Sequence, residues 1–330
     1  MIWLSIICLI ALAGNAPGAE KIQSESITLK VHLMSYLSNA PFYIADKEGY
    51  FNDQGLNIEF IKIESKDAMA MLIVGKIDVY TGTLNVGLLN AIAKGADVKL
   101  VSDKFRVGLS GCSYTALVAR RELVESGKLE RGAAFKGLRI AANRNSPDGY
   151  WVEKTLSQFG ITLDDLRIID TPAPAQPEAL ARGMIDAAVL GEPWLTRTIQ
   201  AGQGVLWISA NDVIPGFQYG FVAFGPSILS NNREAGKRFM LAYLKGVRQF
   251  NEGKTERNLV ILEKPTNLSR DFLKHACWPV FSDNGQINVQ SVLDFQKWAM
   301  KKGLIDKELD TEQFWDPFFI EHANKTLLNQ

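Results

Sequence analysis

Two stretches decide how this chain reads: Leu72-Ile73-Val74-Gly75-Lys76-Ile77-Asp78-Val79 and Ala181-Arg182-Gly183-Met184-Ile185-Asp186-Ala187-Ala188. In each, a helical pattern stops at a glycine, and two residues later an Ile-Asp pair opens an apolar run. Glycine is the usual residue just past a helix end, because it takes left-handed backbone without a Cβ penalty. The isoleucine then starts a strand, with the aspartate expected at an edge-facing position of that strand. The same grammar occurring twice, far apart in the chain, predicts two similarly built α/β lobes.

The surroundings of the first stretch extend the pattern. Strands are expected over 27–33, 56–63, 77–80 and 98–101, alternating with helices over 40–47, 66–74 and 85–93. Leu56, Ile58 and Phe60 alternate as one face of a strand should. Around the second stretch, strands over 138–142, 166–169 and 185–190 alternate with helices over 149–159, 178–182 and 193–200. Such alternation implies mixed α/β sheets. From Asn232 onward the pattern is mainly helical, with Phe239, Leu241, Leu244, Val247 and Phe250 at helix-like spacing and further helices over 289–302 and 312–328.

Composition narrows the function classes. The chain has 330 residues and a formal net charge of zero, with no dense Lys/Arg block. A nucleic-acid role is therefore excluded, since phosphate binding needs a concentrated basic face. Met1 to Ala13 carries no charge, and the small residues Gly14, Ala16, Gly18 and Ala19 precede the first charges, Glu20 and Lys21. This reads as a secretory signal over 1–19. The run is shorter than the roughly 20 apolar residues that span a bilayer. No Lys or Arg precedes it, so a buried N-terminal strand or a short membrane anchor stays open. With Cys8 removed, only Cys112 and Cys277 remain, too few for a disulfide framework. They are expected as two buried free thiols, one bridge being the alternative, and neither has metal-ligand or CxxC spacing.

Longer blocks point to a family. Ala40-Pro41-Phe42-Tyr43-Ile44-Ala45, then Glu48-Gly49-Tyr50-Phe51 and Gly55-Leu56-Asn57-Ile58, resemble the opening of the ABC-importer binding proteins for sulfonates, taurine, nitrate and thiamine precursors (NMT1-like, THI5-like). The two glycine-Ile-Asp stretches, Ala93 to Val98, Phe135 to Ala141 and Glu192-Pro193-Trp194 follow in the family's order. The resemblance implies an α/β, type II periplasmic-binding-protein fold. One lobe would hold 27–113 plus 218–330 and the other 114–217, with a hinge of two crossings near Ser113-Tyr114 and Gln218-Tyr219. It also implies a periplasmic monomer that closes on a small molecule and delivers it to an ABC permease, without a cofactor.

In such a fold the ligand meets loops after strands and helix N-termini, where free N–H groups collect. Four segments fit: Ser38 and Asn39; Thr81, Thr83 and Asn85; Asn145, Ser146 and Asp148; and Glu192 with Trp194, joined by Tyr219 at the hinge. Ser38, Asn39, Thr83, Asn85 and Ser146 equally suit ordinary helix caps. Glu192 equally suits a first-turn carboxylate, and Trp194 a core position. Asp148 and Glu192 would repel an anion, and Tyr43, Tyr150, Trp194, Phe217 and Tyr219 offer stacking surfaces. A neutral or cationic aromatic or heterocyclic ligand is therefore expected, with Arg144 as the argument for a sulfonate or nitrate.

Catalysis has little to work with. Thiamine-precursor relatives include pyridoxal-phosphate-dependent pyrimidine synthases, with a lysine and a histidine shortly after the Ile-Asp strand. Residues 77–93 contain neither, and that branch's cysteine-rich motif is missing. His32, His275 and His322 are mutually isolated, and no GxSxG, HExxH, P-loop or GxGxxG occurs. A ligand-sensing domain is the remaining alternative to an importer subunit.

Overall fold

The computed structural model describes residues 26–130 and 132–329, so the expected signal segment lies outside the described residues. Among the described residues ten strands form two five-stranded sheets. They are β1 (Ile27–His32), β2 (Leu56–Ile61), β3 (Val79–Thr83), β4 (Lys99–Arg106), β5 (Thr115–Ala119), β6 (Arg139–Ala141), β7 (Arg167–Ile169), β8 (Ala187–Gly191), β9 (Val205–Ser209) and β10 (Gln218–Phe224). The first sheet runs β2-β1-β3-β10-β4 and the second β7-β6-β8-β5-β9. In each, three strands run parallel, while the fourth in the order is antiparallel to both neighbours. That antiparallel strand comes from across the molecule: β10 returns after the second sheet is built, and β5 leaves directly from β4.

The repeated glycine-Ile-Asp grammar has a structural reason. Gly75 and Gly183 take left-handed backbone, φ 70° and 64°, at the ends of helices Ser65–Ile73 and Gln176–Ala181. Ile77 and Ile185 are buried. Contrary to the sequence expectation, the aspartates lie outside the strands; each stands one residue before β3 or β8 and clamps the adjacent parallel strand. Asp78 N–H donates to Lys30 O at 2.9 Å, and its carboxylate accepts the Lys30 N–H at 2.6 Å. Asp186 N–H donates to Arg139 O at 2.8 Å, and its carboxylate accepts the Arg139 N–H at 2.9 Å. A carboxylate here extends the ladder by one bond where the backbone has not yet become a strand.

The reading of the chain missed β5, β9 and β10. All five residues of β5 and all seven of β10 are buried, so the alternation that marks a half-buried strand is absent. The helix expected over 312–328 is broken into Thr311–Phe314 and Phe318–Leu328, with Pro317 starting the second piece. Helix Arg233–Asn251 packs on helix Ala40–Lys47 through stacked Phe42 and Tyr243, with centroids 4.4 Å apart. Gly246 permits that approach, since a Cβ there would run into the Pro41 carbonyl.

Cys112 and Cys277 form a disulfide, with Cα atoms 5.8 Å apart, in place of the two free thiols expected. Their separation of 165 residues gives no local hint of pairing. The fold brings the crossing segment after β4 against the segment that follows helix Arg270–His275.

Two outcomes follow. Burial pushes the Asp186 carboxyl up, but the hydrogen bonds and charge of Arg139, with Arg120 beyond, outweigh it and hold the group below the usual carboxylate range. Asp186→Ala should lower stability by roughly 2–4 kcal/mol, read from the urea midpoint, because it strands the Arg139 N–H and two guanidinium groups. That loss should be present at neutral pH and shrink as pH falls through the depressed native value, where wild type also loses the interaction. Cys277→Ser, or reduction of wild type, should lower stability by about 2–5 kcal/mol in a thermal melt.

Candidate functional site

A cavity of about 320 Å³ lies between the two sheets. The first sheet contributes the segment after β1, the residues of β3, the middle of β4 and the start of β10. The second contributes the start of β5 and the loops after β6, β7 and β8. Loops at the carboxyl ends of parallel strands are where α/β sheets present polar groups to a ligand.

The sequence-predicted residues divide by role. Ser38, Thr81, Thr83, Asp148, Glu192, Trp194 and Tyr219 line the cavity. Asn39, Asn85, Asn145 and Ser146 do not; Asn39, Asn85 and Ser146 bond nearby backbone through a side-chain atom, and Asn145 through its main-chain carbonyl. Asn39 Nδ2 donates to Met34 O at 2.7 Å, and Asn85 Oδ1 caps its helix by accepting the Leu88 N–H at 2.8 Å. Ser146 Oγ accepts the Asp148 N–H at 3.2 Å, and the Asn145 carbonyl accepts the Val86 N–H at 3.1 Å, linking the two halves. Thr81 Oγ1 donates to the His32 carbonyl at 2.6 Å. Of the expected stacking surfaces only Trp194 and Tyr219 reach the cavity; Tyr43 packs edge-on against Phe60, and Tyr150 stacks on Phe217, elsewhere.

Both carboxylates behind the charge argument line the cavity, and both have partners within the chain. Asp148 accepts the Tyr219 hydroxyl and, at 3.4 Å, the Asn143 N–H. Glu192, 4% exposed, accepts Thr196 Oγ1 at 2.6 Å, the Thr196 N–H at 3.1 Å and the Cys277 N–H at 3.3 Å. Burial holds both carboxyls above their usual range despite these donors. Asp148 ties one cavity wall to the other through Tyr219, and Glu192 ties its loop to the segment carrying Cys277. Arg144, the expected anion partner, points elsewhere and pairs with Asp164 at 2.8 Å.

The positive charge comes from a residue the sequence did not single out. Lys104, in the middle of β4, lines the cavity and is 3% exposed. Among the described residues its ammonium has no hydrogen-bond or ion-pair partner, only the Phe105 ring at 5.6 Å. Burial alone pushes its pKa down to about 7. His32 stands in the same wall, stacked on Tyr80, with Nε2 donating to Ile63 O at 3.0 Å. Burial, with the Lys104 charge, takes His32 down to about 4, so it is neutral at physiological pH and competes for no anion as a cation.

The profile of the NMT1-like family matches residues 23–261, a span that includes every strand of both sheets. The chain belongs to the NMT1-like family. No curated protein matches it in sequence. Among solved structures it is similar to a ligand-binding component of an ABC-type import system from Staphylococcus aureus, solved with zinc bound, at 17% identity and TM-score 0.75 over 90% of this chain and 99% of that one. It is also similar to the periplasmic nitrate-binding protein NrtA from Synechocystis PCC 6803, at 15% identity and TM-score 0.75 over 92% of this chain and 89% of that one. A third is the alkanesulfonate-binding protein SsuA from Xanthomonas axonopodis pv. citri bound to MOPS, at 17% identity and TM-score 0.68 over 88% and 99%. The fold is thus that of the periplasmic binding proteins.

In this NMT1-like chain the cavity also contains Tyr36, Phe105 and Tyr114, none of which motif reading found. Phe105 stacks on Tyr219 at 5.4 Å and meets Tyr114 edge-on at 5.4 Å, giving one wall an aromatic surface. The signal for Lys104 was present as two adjacent charges, Asp103 and Lys104, continuing an apolar strand that the reading ended at Val101.

Asp103 side-steps the cavity and joins a buried network. It accepts from Gln218 Nε2 and from the Ser282 N–H at 2.6 Å, with Arg106 at 3.7 Å. Burial dominates, pushing its pKa up to about 6, with Arg106, Ser282 and Gln218 only partly offsetting it. The native state therefore holds a proton here that the unfolded chain releases near pH 4. Stability from this group should be fullest below about pH 4 and be lost as pH rises to about 6. Asp103→Asn should remove that slope, checked by urea midpoints of variant and wild type across the window.

Proposed function

We propose that this protein is an extracytoplasmic solute-binding subunit of an ABC importer, holding a small organic molecule in the cavity between its sheets. The observation that carries this reading is the cavity itself. It is walled from both sheets by strand ends and crossed by ties such as Tyr219 to Asp148, which join one half to the other. The lobes are residues 27–113 with 218–330, and 114–217. Each is built on one sheet, and the chain passes between them after β4 and again after β9. Two crossings and a few polar ties suit hinge closure around a ligand. The aromatic wall of Phe105, Tyr114 and Tyr219 suits a flat or aromatic body.

Secretion through residues 1–19 fits a protein with an intramolecular disulfide, since such bonds persist in oxidising compartments. Among the described residues no helix is long and apolar enough to cross a membrane. The permease and the monomeric state belong to the same reading.

One observation favours a second reading. The sequence argument against Schiff-base chemistry rested on residues 77–93, yet the cavity does contain an amine, Lys104, near His32. A pyridoxal-phosphate-dependent enzyme would show sustained turnover of a bound pyrimidine, and that result would replace the importer reading.

The test is a thermal-shift screen of the chain from about Glu20 onward, with sulfonates, nitrate, thiamine precursors, flavins and small aromatic acids, amides and amines. A ligand at 100 times its dissociation constant should add about 2.7 kcal/mol of stability, a readily seen rise in melting temperature. A ligand that is released intact after binding supports solute capture; a ligand consumed under the same conditions overturns it.

A further inference from the structure

We propose that Lys104 is the seat for one acidic group of the ligand, so that the captured solute is a small anion whose charge is met by a single ammonium. The inference rests on the solute-binding reading above and names the chemical class of its ligand.

The argument starts from what Lys104 lacks. An ammonium taken out of water is normally paired, because an isolated buried charge is strongly unfavourable. Lys104 is almost wholly buried, lines the cavity, and has no acceptor among the described residues. Three carboxylates also line the cavity, and none pairs with it. Asp148 is taken by Tyr219 and Asn143, Glu192 by Thr196 and Cys277, and Asp170 lies exposed after β7. From β1 the facing titratable group is His32, a neutral ring whose Nε2–H is already given to Ile63. From the segment after β1 it is Tyr36, from just before β5 Tyr114 and from β10 Tyr219, all neutral phenols with their ionisation pushed up by burial. Among the described residues nothing supplies Lys104 with a counter-charge; an unused acceptor in the same wall is the neutral His32 ring through Nδ1, which leaves the charge to be met by a ligand.

The strand fixes this arrangement. Asp103 and Lys104 are consecutive on β4, so their side chains leave opposite faces. Asp103 is anchored by Gln218 and Ser282 on the far side, and its carbonyl accepts the Tyr243 hydroxyl at 2.7 Å. Lys104 is thereby held in the wall while its charge stays unmet. In the empty protein the amine, with its pKa down to about 7, sheds its proton easily, and an arriving anion restores it. Anion binding above neutral pH is therefore accompanied by proton uptake.

Matched pairs test the proposal on the chain from about Glu20 onward: benzenesulfonate against benzenesulfonamide, and nicotinate against nicotinamide, with inorganic nitrate and benzylamine alongside. Affinities are measured by calorimetry for wild type, Lys104→Met and Lys104→Arg. The acid of at least one pair should bind wild type tenfold or more tighter than its amide, with the preference lost in Lys104→Met and largely kept in Lys104→Arg. The acid's affinity should fall about tenfold from about pH 6 to about pH 8, as the charged fraction of a group titrating near 7 falls, while the amide's stays flat. Repeating the titration in buffers of different ionisation enthalpy should show proton uptake with the acid only.

A purely structural lysine would leave the acid–amide ratio and its pH profile untouched by Lys104→Met. Binding of amides or amines with no acid preference would overturn the anion seat and leave solute capture standing. An acid preference that survives Lys104→Met would place the seat elsewhere and overturn the assignment of Lys104. Silence from every acid, nitrate included, at millimolar concentration would also overturn it, while wider screening decides the solute-binding reading separately.

Discussion

An aspartate carboxylate accepting the backbone N–H of the neighbouring strand is the interaction on which both halves of this molecule depend. Asp78 does this to Lys30 and Asp186 to Arg139, each just before its own strand begins. In both cases the aspartate's own N–H returns a bond to the same residue's carbonyl. This pins the parallel pairs β1/β3 and β6/β8 at their starts, where Val31 aligns with Val79 and Ile140 with Ala187. Register matters because a one-residue slip sends every side chain to the opposite face. With the starts fixed, the far ends of β3 and β8 deliver Thr81, Thr83 and Gly191 to the cavity wall.

Polar atoms around the cavity are used for different ends, and hydrogen-bond saturation separates them. Asp148 and Glu192 look like ligand-facing carboxylates in a sequence, yet their oxygens accept from groups across the molecule, Tyr219 on β10 and the disulfide-bonded Cys277. A hydrogen bond to a charged group contributes about 1.5–3 kcal/mol when well formed. A handful of such ties holds the two halves face to face without fusing them. Lys302 adds another, reaching Glu153 at 2.6 Å from helix Val289–Lys301's end to helix Pro147–Ser157.

The double glycine-Ile-Asp motif made the two-sheet architecture legible, because its three residues have distinct jobs: ending a helix, filling a core and clamping a strand. Helix Ala40–Lys47 was readable to the residue. The strands β5 and β10, which exchange the chain between sheets, were not, since burial on both faces erases periodicity. The site was legible as loops more than as residues. Asn39, Asn85, Asn145 and Ser146 have the same chemistry as ligand contacts, and only the geometry shows Asn39 Nδ2, Asn85 Oδ1 and Ser146 Oγ bonded to backbone and Asn145 standing outside the cavity lining. The disulfide stood only as the alternative because two cysteines 165 residues apart become neighbours only once the segment after β4 is placed.

Strand β4 joins these threads. Its alternation sends Asp103 into a buried network with Gln218, Ser282 and Arg106, at the point where β10 enters the first sheet, and sends Lys104 into the cavity. Two opposite charges adjacent in sequence are therefore kept from neutralising one another. Each is treated differently by burial: the carboxyl keeps its proton more readily, and the amine gives its proton up. Pairing Lys104 within the chain would have been simple, since carboxylates stand nearby in the same cavity. Instead Asp148 and Glu192 are occupied by Tyr219, Thr196 and Cys277, and among the described residues the Lys104 ammonium has no ion-pair partner, only the Phe105 ring.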